Sequence, residues 1–415
     1  MLRCLLSLVF IFSHCVLFLG AEPDKTGPAE WKAGAASAKI TPEKPLRMAG
    51  YAGRKEPAEG TEQDLFAKAL AVEDSKGNRA VFLTLDLIGV TEQLRADVTT
   101  QVQEQYQLSP QSLLMNASHT HCGPAYGREE AKEYYDVLVS TLVKTIGAAL
   151  EKMQPARLSW SAARCSVAMN RRTPTATGYR NHPNPDGRVD HQVPVLRVDD
   201  AEGELQAVMF GYACHNTTMG FRKWLGDYAG FAQEYFEKDH PGVTALFMMG
   251  CGGGQNPYPR SELHYAHKHG RSLATSIEAA LEVNQRTPLH QRVLHGPLKT
   301  AYGTVELEYL PEKKRDPWDY PVQVIQFGND LTLVALGTEV VVDYSLRIKQ
   351  ELYETAGPAI WVAGYSNVYS GYIPSKRVLL EGGYEASRPY KPDVEERIIG
   401  KVLELDQQLN SQSEK

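Results

Sequence analysis

Little in this 415-residue sequence assigns a chemistry at first sight. It has only six cysteines and no CxxC pair, which argues against a thiolate zinc knot. It contains no HExxH and no GxSxG, so neither a zincin helix nor a serine-hydrolase elbow is present. There is no long basic run, and a net charge of −6 argues against a nucleic-acid footprint. Internal repeats and low-complexity linkers are lacking too. The glycine run Gly250-Cys251-Gly252-Gly253-Gly254 has no following Lys-Ser/Thr, and Asn256-Pro257-Tyr258-Pro259 would break the helix that a phosphate loop needs. Those glycines better suit close backbone approach to a ligand.

The first apolar run is a targeting feature. Arg3, a nearly unbroken apolar stretch over 5–19 and the small pair Gly20-Ala21 read as a signal peptide over residues 1–21. Beyond it no segment is long and apolar enough to span a bilayer. The mature chain is expected to be secreted, periplasmic or in the cell envelope, without an integral membrane segment. Without Cys4 and Cys15, four cysteines remain: Cys122, Cys165, Cys214 and Cys251. Export permits disulfides, and buried free thiols fit equally well.

The remainder, at 42% hydrophobic, holds enough apolar residues for a large core. Strands are expected over 36–40, 67–72, 80–88, 113–115, 158–168, 193–198, 205–213, 243–249, 305–307, 322–327, 331–336 and 359–363. Helices are expected over 92–106, 129–153, 229–239, 261–284, 337–355 and 393–409. The Pro-, Gly- and Asn-rich stretch 173–188 reads as a long loop. This alternation predicts an α/β fold: a mixed β-sheet core with flanking helices, in a single domain over 22–415.

The informative pattern is where the polar residues fall. Leu113-Leu114-Met115 delivers His119 and His121 into a turn, and alternate residues of extended chain face one side. His215 follows the strand 205–213, Glu339 follows 331–336, and Tyr369 and Tyr372 follow 359–363. All stand just past the carboxyl ends of apolar strands, where α/β folds collect their sites. Two histidines, a glutamate and a tyrosine oxygen would suit zinc with room for water. Such an ion brings the pKa of bound water to about 7 and polarises a carbonyl. His264 and His267, three apart on a polar helix face, are a weaker candidate pair. Asp86, inside an apolar run, needs a hydrogen-bonded role. The sequons at Asn116 and Asn216 overlap the candidate site, so they read as chance matches.

In order along the chain, several segments resemble the neutral (non-lysosomal) ceramidase family of zinc-dependent amidases. They are Lys39-Ile40-Thr41-Pro42, Met48-Ala49-Gly50-Tyr51-Ala52, Ala117-Ser118-His119-Thr120-His121-Cys122-Gly123-Pro124 and Asn170-Arg171. Cys214-His215, Gly337-Thr338-Glu339, Asn367-Val368-Tyr369-Ser370-Gly371-Tyr372 and Tyr384-Glu385 complete the set. The resemblance implies zinc held by His119, His215, Glu339 and Tyr372. It implies that His121 and Arg171 contact the substrate carbonyl or developing oxyanion, and that Tyr384 lies near the substrate.

In the active-site loop the family carries Gly-Asp-Val-Ser-Pro-Asn, and this chain has Gly253-Gly254-Gln255-Asn256-Pro257-Tyr258. Gly254 and Asn256 replace an acid and a hydroxyl, so the proton acceptor is unassigned. Asn256 or Gln255 is then expected to orient the substrate. The family's C-terminal β-sandwich domain is not expected here. The favoured reading is an exported zinc-dependent hydrolase of an N-acyl amide, small or lipid-like, with peripheral membrane contact left open. The alternatives are a catalytically silent zinc- or ligand-binding protein on the same scaffold, and a zinc hydrolase of ester or carbohydrate-linked groups.

Overall fold

A computed structural model describes residues 29–282, 292–313, 315–357 and 359–411. The expected signal peptide, the end of the helix read over 261–284 and the last residues of the tail lie outside them.

The strand Leu113–Ala117 is buried at every residue. It lies at one edge of a large mixed sheet that runs Thr244–Met249, Leu205–Tyr212, Gln192–Asp200, Gln154–Arg164, Trp31–Lys39, Phe66–Asp74, Arg79–Leu85, Leu113–Ala117. The interior pairs are antiparallel, and the outermost pair at each edge is parallel. A four-stranded sheet, Leu298–Leu307, Trp318–Phe327, Leu331–Leu336 and Ile360–Ala363, packs against it, and its last pair is parallel as well. Phe82, Leu114, Met209 and Leu246 of the first sheet meet Ile325, Phe327, Leu333 and Trp361 of the second in a fully apolar interlayer. Removal of that area from water is the main favourable term for the fold.

Helices cover the outer faces. Glu92–Tyr106 and Lys132–Glu151 bury Leu94, Val98, Leu138, Leu142 and Ile146 over one half of the large sheet. Asp227–Asp239 and Leu263–Glu282 bury Phe236, Leu273 and Ile277 over the other half. Val342–Glu351 and Val394–Ser411 cover the small sheet. Glu92–Tyr106 starts where the Thr91 hydroxyl accepts Leu94 N–H, and it stops at Gln107 in the left-handed conformation. No helix among the described residues is long and apolar enough to cross a membrane.

Asn116 explains why three strand ends share one place. Its side chain donates to Gly364 O at 2.7 Å and accepts from Met249 N at 2.7 Å. One amide thus fastens both edges of the large sheet to the last strand of the small one. Because the tied strands belong to parallel pairs, their carboxyl ends open on the same side. Asn116 and Asn216 are fully buried, so neither sequon is accessible as placed.

The α/β expectation holds, with local differences. Residues 173–188 are mostly not a loop: Ala168–Thr175 and Gly178–Asn184 form an antiparallel hairpin. Its Pro and Gly residues sit where side-chain and backbone bonds, such as Asn184 Nδ2 to Arg172 O at 2.7 Å, hold the ribbon. Glu339 does not open a helix. It forms a two-residue parallel pairing with Tyr372–Ile373, and the helix starts at Val342. The four cysteines are buried free thiols. His264 and His267 do not converge: His267 hydrogen-bonds with the Tyr235 hydroxyl, and His264 pairs with Glu262.

Candidate metal centre and active site

Two buried imidazoles are aimed by backbone carbonyls. His119 Nδ1 donates to Ile88 O at 2.7 Å, and His215 Nδ1 donates to Gly252 O at 2.7 Å. A carbonyl only accepts, so each Nδ1 carries the hydrogen, and each neutral ring turns an Nε2 lone pair inward. Both lone pairs meet the same atom. Glu339 Oε2 lies 3.3 Å from His119 Nε2 and 3.1 Å from His215 Nε2. Tyr372 OH lies 3.3 Å from His215 Nε2, and His121 Nε2 lies 3.0 Å from His119 Nε2. Burial, with the Arg171 guanidinium nearby, pushes His215 down to about 4. Burial alone would raise Glu339, and its histidine neighbours hold it well below the usual carboxylate range. Holding that carboxylate ionised takes positive charge at the Nε2 atoms, which rings protonated on Nδ1 do not supply and a bound cation would.

The donor set therefore fits a cation. Ligand atoms of His119, His121 and His215 all lie within 4.8 Å of one another, a group that could hold a metal. His121 Nδ1 is buried without a hydrogen-bond partner, and burial, followed by the other two histidines, pushes His121 well below its ordinary value. Nitrogen and carboxylate donors of this kind suit zinc and its borderline neighbours.

The backbone is strained where these residues stand. His119, Thr338, Tyr365 and Asn367 have φ of 58°, 56°, 49° and 64°. Such residues persist only where the surroundings over-determine them, and they cluster at working sites. Two glycines make room. A Cβ on Gly50, itself at φ 98°, would stand 2.4 Å from His121 Cγ, and one on Gly89 would stand 2.3 Å from Tyr369 Cγ.

Beside the cluster Arg171, almost fully buried, donates through Nε to Glu385 at 2.8 Å, through Nη1 to Asn256 at 3.1 Å and through Nη2 to Tyr372 OH at 2.8 Å. Glu385 also pairs with Arg172, so one carboxylate clamps two guanidiniums. Burial works against the charge, yet Tyr372 and Glu385 together hold Arg171 well above its ordinary range. Tyr384 is 55% exposed at the rim, with its ring 5.2 Å from that of Tyr372.

Of the residues singled out from sequence, His119, His121, His215, Glu339, Tyr372, Arg171 and Asn256 come together, and Tyr384 edges the opening. Gln255 does not join them. It is fully buried, its amide nitrogen donates to Ala213 O and Cys251 O, and its carbonyl accepts from Asp190 N, which leaves neither end for a substrate. Of three further contributors, Tyr369 was placed past a strand end without a role, and Tyr365 and Glu385 were not picked out. Tyr369 donates to Glu339 Oε1 at 3.0 Å, Tyr365 lies 4.6 Å ring to ring from His119, and Glu385 clamps Arg171. The tyrosine-rich segment pointed to the first two, and the Tyr384-Glu385 pair to the third. The Ile88 and Gly252 carbonyls left no signal, because any residue can supply one.

A family model for neutral/alkaline non-lysosomal ceramidase, N-terminal, matches residues 31–250. Neutral ceramidase A of Dictyostelium discoideum is 27% identical over 273 residues, covering 58% of this chain and 38% of that protein. Neutral ceramidase of Pseudomonas aeruginosa is 25% identical over 269 residues, covering 59% of this chain and 39% of the other. The alignments thus span well under half the length of these curated relatives. The solved neutral ceramidase from Pseudomonas aeruginosa shares the fold with a TM-score of 0.77 at 20% identity, over 92% of this chain and 74% of that one. A match over more than half of the sequence, joined to that shared fold, places the chain in the neutral/alkaline non-lysosomal ceramidase family.

Proposed function

We propose that this chain is an exported, zinc-dependent hydrolase of N-acyl amide bonds, with His119, His215, Glu339 and Tyr372 holding the metal. The observation that carries the reading is the convergence of two inward lone pairs on Glu339 Oε2, with Tyr372 OH beside them. A zinc ion in such a set acidifies water and polarises a carbonyl.

The chain's own groups do the rest. Arg171 is fixed by three partners, so two of its five N–H groups remain to receive a substrate oxygen. When water adds to the amide carbon, negative charge develops on that oxygen. Arg171 and His121 stand beside the cluster to stabilise it. The C–N bond then breaks, and a carboxylate and a protonated amine leave. Asn256, held by Arg171, takes the place of the family hydroxyl and orients the substrate. Preorganisation of this kind is worth several kcal/mol, because no dipole has to turn during the reaction.

A second reading has its own support. The loop carries no acid at Gly254 and no hydroxyl at Asn256, whose side-chain oxygen already accepts from Arg171. A scaffold that binds metal or ligand without turnover would have this loop.

One experiment separates the readings: elemental analysis of the purified mature chain and His215→Ala, with turnover of N-acyl amides before and after chelation. About one zinc per chain, lost in the variant, with chelator-sensitive hydrolysis is expected. Metal without turnover of any N-acyl substrate selects the silent scaffold, and no metal after reconstitution overturns the metallohydrolase reading.

A further inference from the structure

The amide-hydrolase reading leaves the substrate open, and the groups around the opening narrow it. Asn256 reaches from Arg171 to a second compartment: its Nδ2 donates to Tyr258 OH at 3.4 Å. Tyr258 lines an open cavity of about 560 Å³ together with Asn181, His182, Pro183 and Arg260. Only the proline is apolar. The other four side chains offer N–H or O–H donors, and no carboxylate faces the space.

Arg260 has no carboxylate partner among the described residues. Glu262, two positions on, turns instead to His264 at 3.3 Å. Two further arginines beside the site also lack an acidic partner among the described residues. Arg54 lies over the Tyr51 ring and donates to His121 O at 2.8 Å. Arg388 donates to Ser370 Oγ at 2.8 Å, in the segment that carries Tyr369 and Tyr372. Arginines without an acidic partner around the site stand out in a chain with 50 acidic against 44 basic residues. The interior does not offset them, since Glu385 is balanced by Arg171 and Arg172. Glu339 faces the metal site, and Asp227, buried near Tyr51, is taken up by Met219 and Tyr228 N–H.

We propose that the substrate is an amide bearing an anionic group, and that Arg260, with Tyr258, Asn181 and His182, forms the subsite that receives it. A guanidinium without a competing carboxylate binds carboxylate or sulfonate oxygens through paired N–H donors. A mouth of one charge sign also raises the rate of encounter with an oppositely charged ligand. A neutral lipid with two hydrocarbon chains would find one apolar residue in this compartment. The inference rests on the amide-hydrolase reading for its reaction, but not for its binding.

The test compares matched amides: N-lauroylglycine with N-lauroylglycinamide, and N-dodecylsuccinamic acid with its terminal carboxamide. The first pair places the charge on the amine half, the second on the acyl half. In the metal-loaded wild type, at least one acid should exceed its neutral partner about tenfold in kcat/KM, mainly through KM. Arg260→Gln should bring that ratio close to one, Arg260→Lys should keep part of it, and added salt should shrink it. Equal handling of acid and carboxamide in both pairs, or a preference that survives Arg260→Gln, overturns the proposal. If none of the four is hydrolysed, the hydrolase reading is what fails, and calorimetric binding of the same compounds decides the subsite. Tighter binding of an acid, lost in Arg260→Gln while the variant melts like wild type, supports it. Indifference to charge overturns it.

Discussion

Asp86 and Glu339 are buried carboxylates, each placed just past the end of a buried strand of one of the two sheets, and they are treated in opposite ways. Asp86 accepts Phe66 N–H at 3.0 Å, and burial pushes it up to about 6 against that bond and the Lys68 ammonium. Glu339 is equally buried, yet its partners drive it well below the ordinary range. Burial alone disfavours the charged form, so the sign of the net shift reports what surrounds the group. Around Asp86 there is one backbone donor and a remote cation. Around Glu339, ionisation calls for positive charge at the two Nε2 atoms, and rings whose hydrogens sit on Nδ1 leave that charge to a bound cation. A lone-pair cluster is a stronger sign of a metal centre than burial or polarity.

Breaking the Glu339 side of that contrast should give the largest effect. Glu339→Gln keeps shape and removes charge. It is expected to lower metal affinity by about 100-fold or more and to take turnover to the chelated baseline. Asp86→Asn should leave metal content unchanged. Elemental analysis after dialysis reads both, and equal metal loss in the two variants would abolish the distinction.

Glu385 tests a third environment, a buried carboxylate balanced by two guanidiniums. Glu385→Ala would leave Arg171 and Arg172 buried without their shared counter-charge. Removing one member of a buried pair costs about 3–5 kcal/mol, so urea unfolding should show a marked loss of stability. Turnover should fall as well, since Arg171 loses one of three anchors. Unchanged stability would mean that Glu381 and Gly382 O suffice to hold Arg172.

Asp86 itself gives a pH signature. Its folded pKa is raised above the unfolded value, so between about pH 4 and 6 the folded state binds more protons, and stability falls as pH rises. The carboxyl contributes fully at low pH and costs up to about 3 kcal/mol near neutrality. Asp86→Asn should remove that slope, so the variant gains on wild type between pH 4 and 7 in urea titrations. A constant difference across that range would contradict the shift.

The α/β class was legible because apolar periodicity sets which face of each element is buried, as in Leu113–Ala117. The candidate site was legible because its residues follow soon after the ends of apolar strands. What stayed hidden was three-dimensional. The stretch 173–188 reads as a loop because its Pro, Gly and Asn residues break apolar periodicity, although a backbone ladder pairs 168–175 with 178–184. Gln255 looked like a substrate contact because it adjoins Asn256, and neighbours on extended chain face opposite sides. Asn116 reads as a chance sequon, and nothing in the sequence shows that it ties three strands together.

The smallest predicted effect settles which tyrosine belongs to the metal. Tyr369 OH donates to Glu339 Oε1 at 3.0 Å, and burial keeps the phenol protonated by raising its pKa far above ordinary. It therefore acts through Glu339, fixing which carboxylate oxygen faces the histidines. A hydrogen bond to a charged group is worth about 1.5–3 kcal/mol, and here the carboxylate keeps its histidine contacts. Tyr369→Phe is therefore expected near the lower end, about tenfold in metal affinity. Tyr372→Phe should cost more, because its oxygen lies beside His215 Nε2 and also steers Arg171. Competition with a calibrated chelator measures both. A larger loss in Tyr369→Phe would move the oxygen ligand to the tyrosine that now only aims the glutamate.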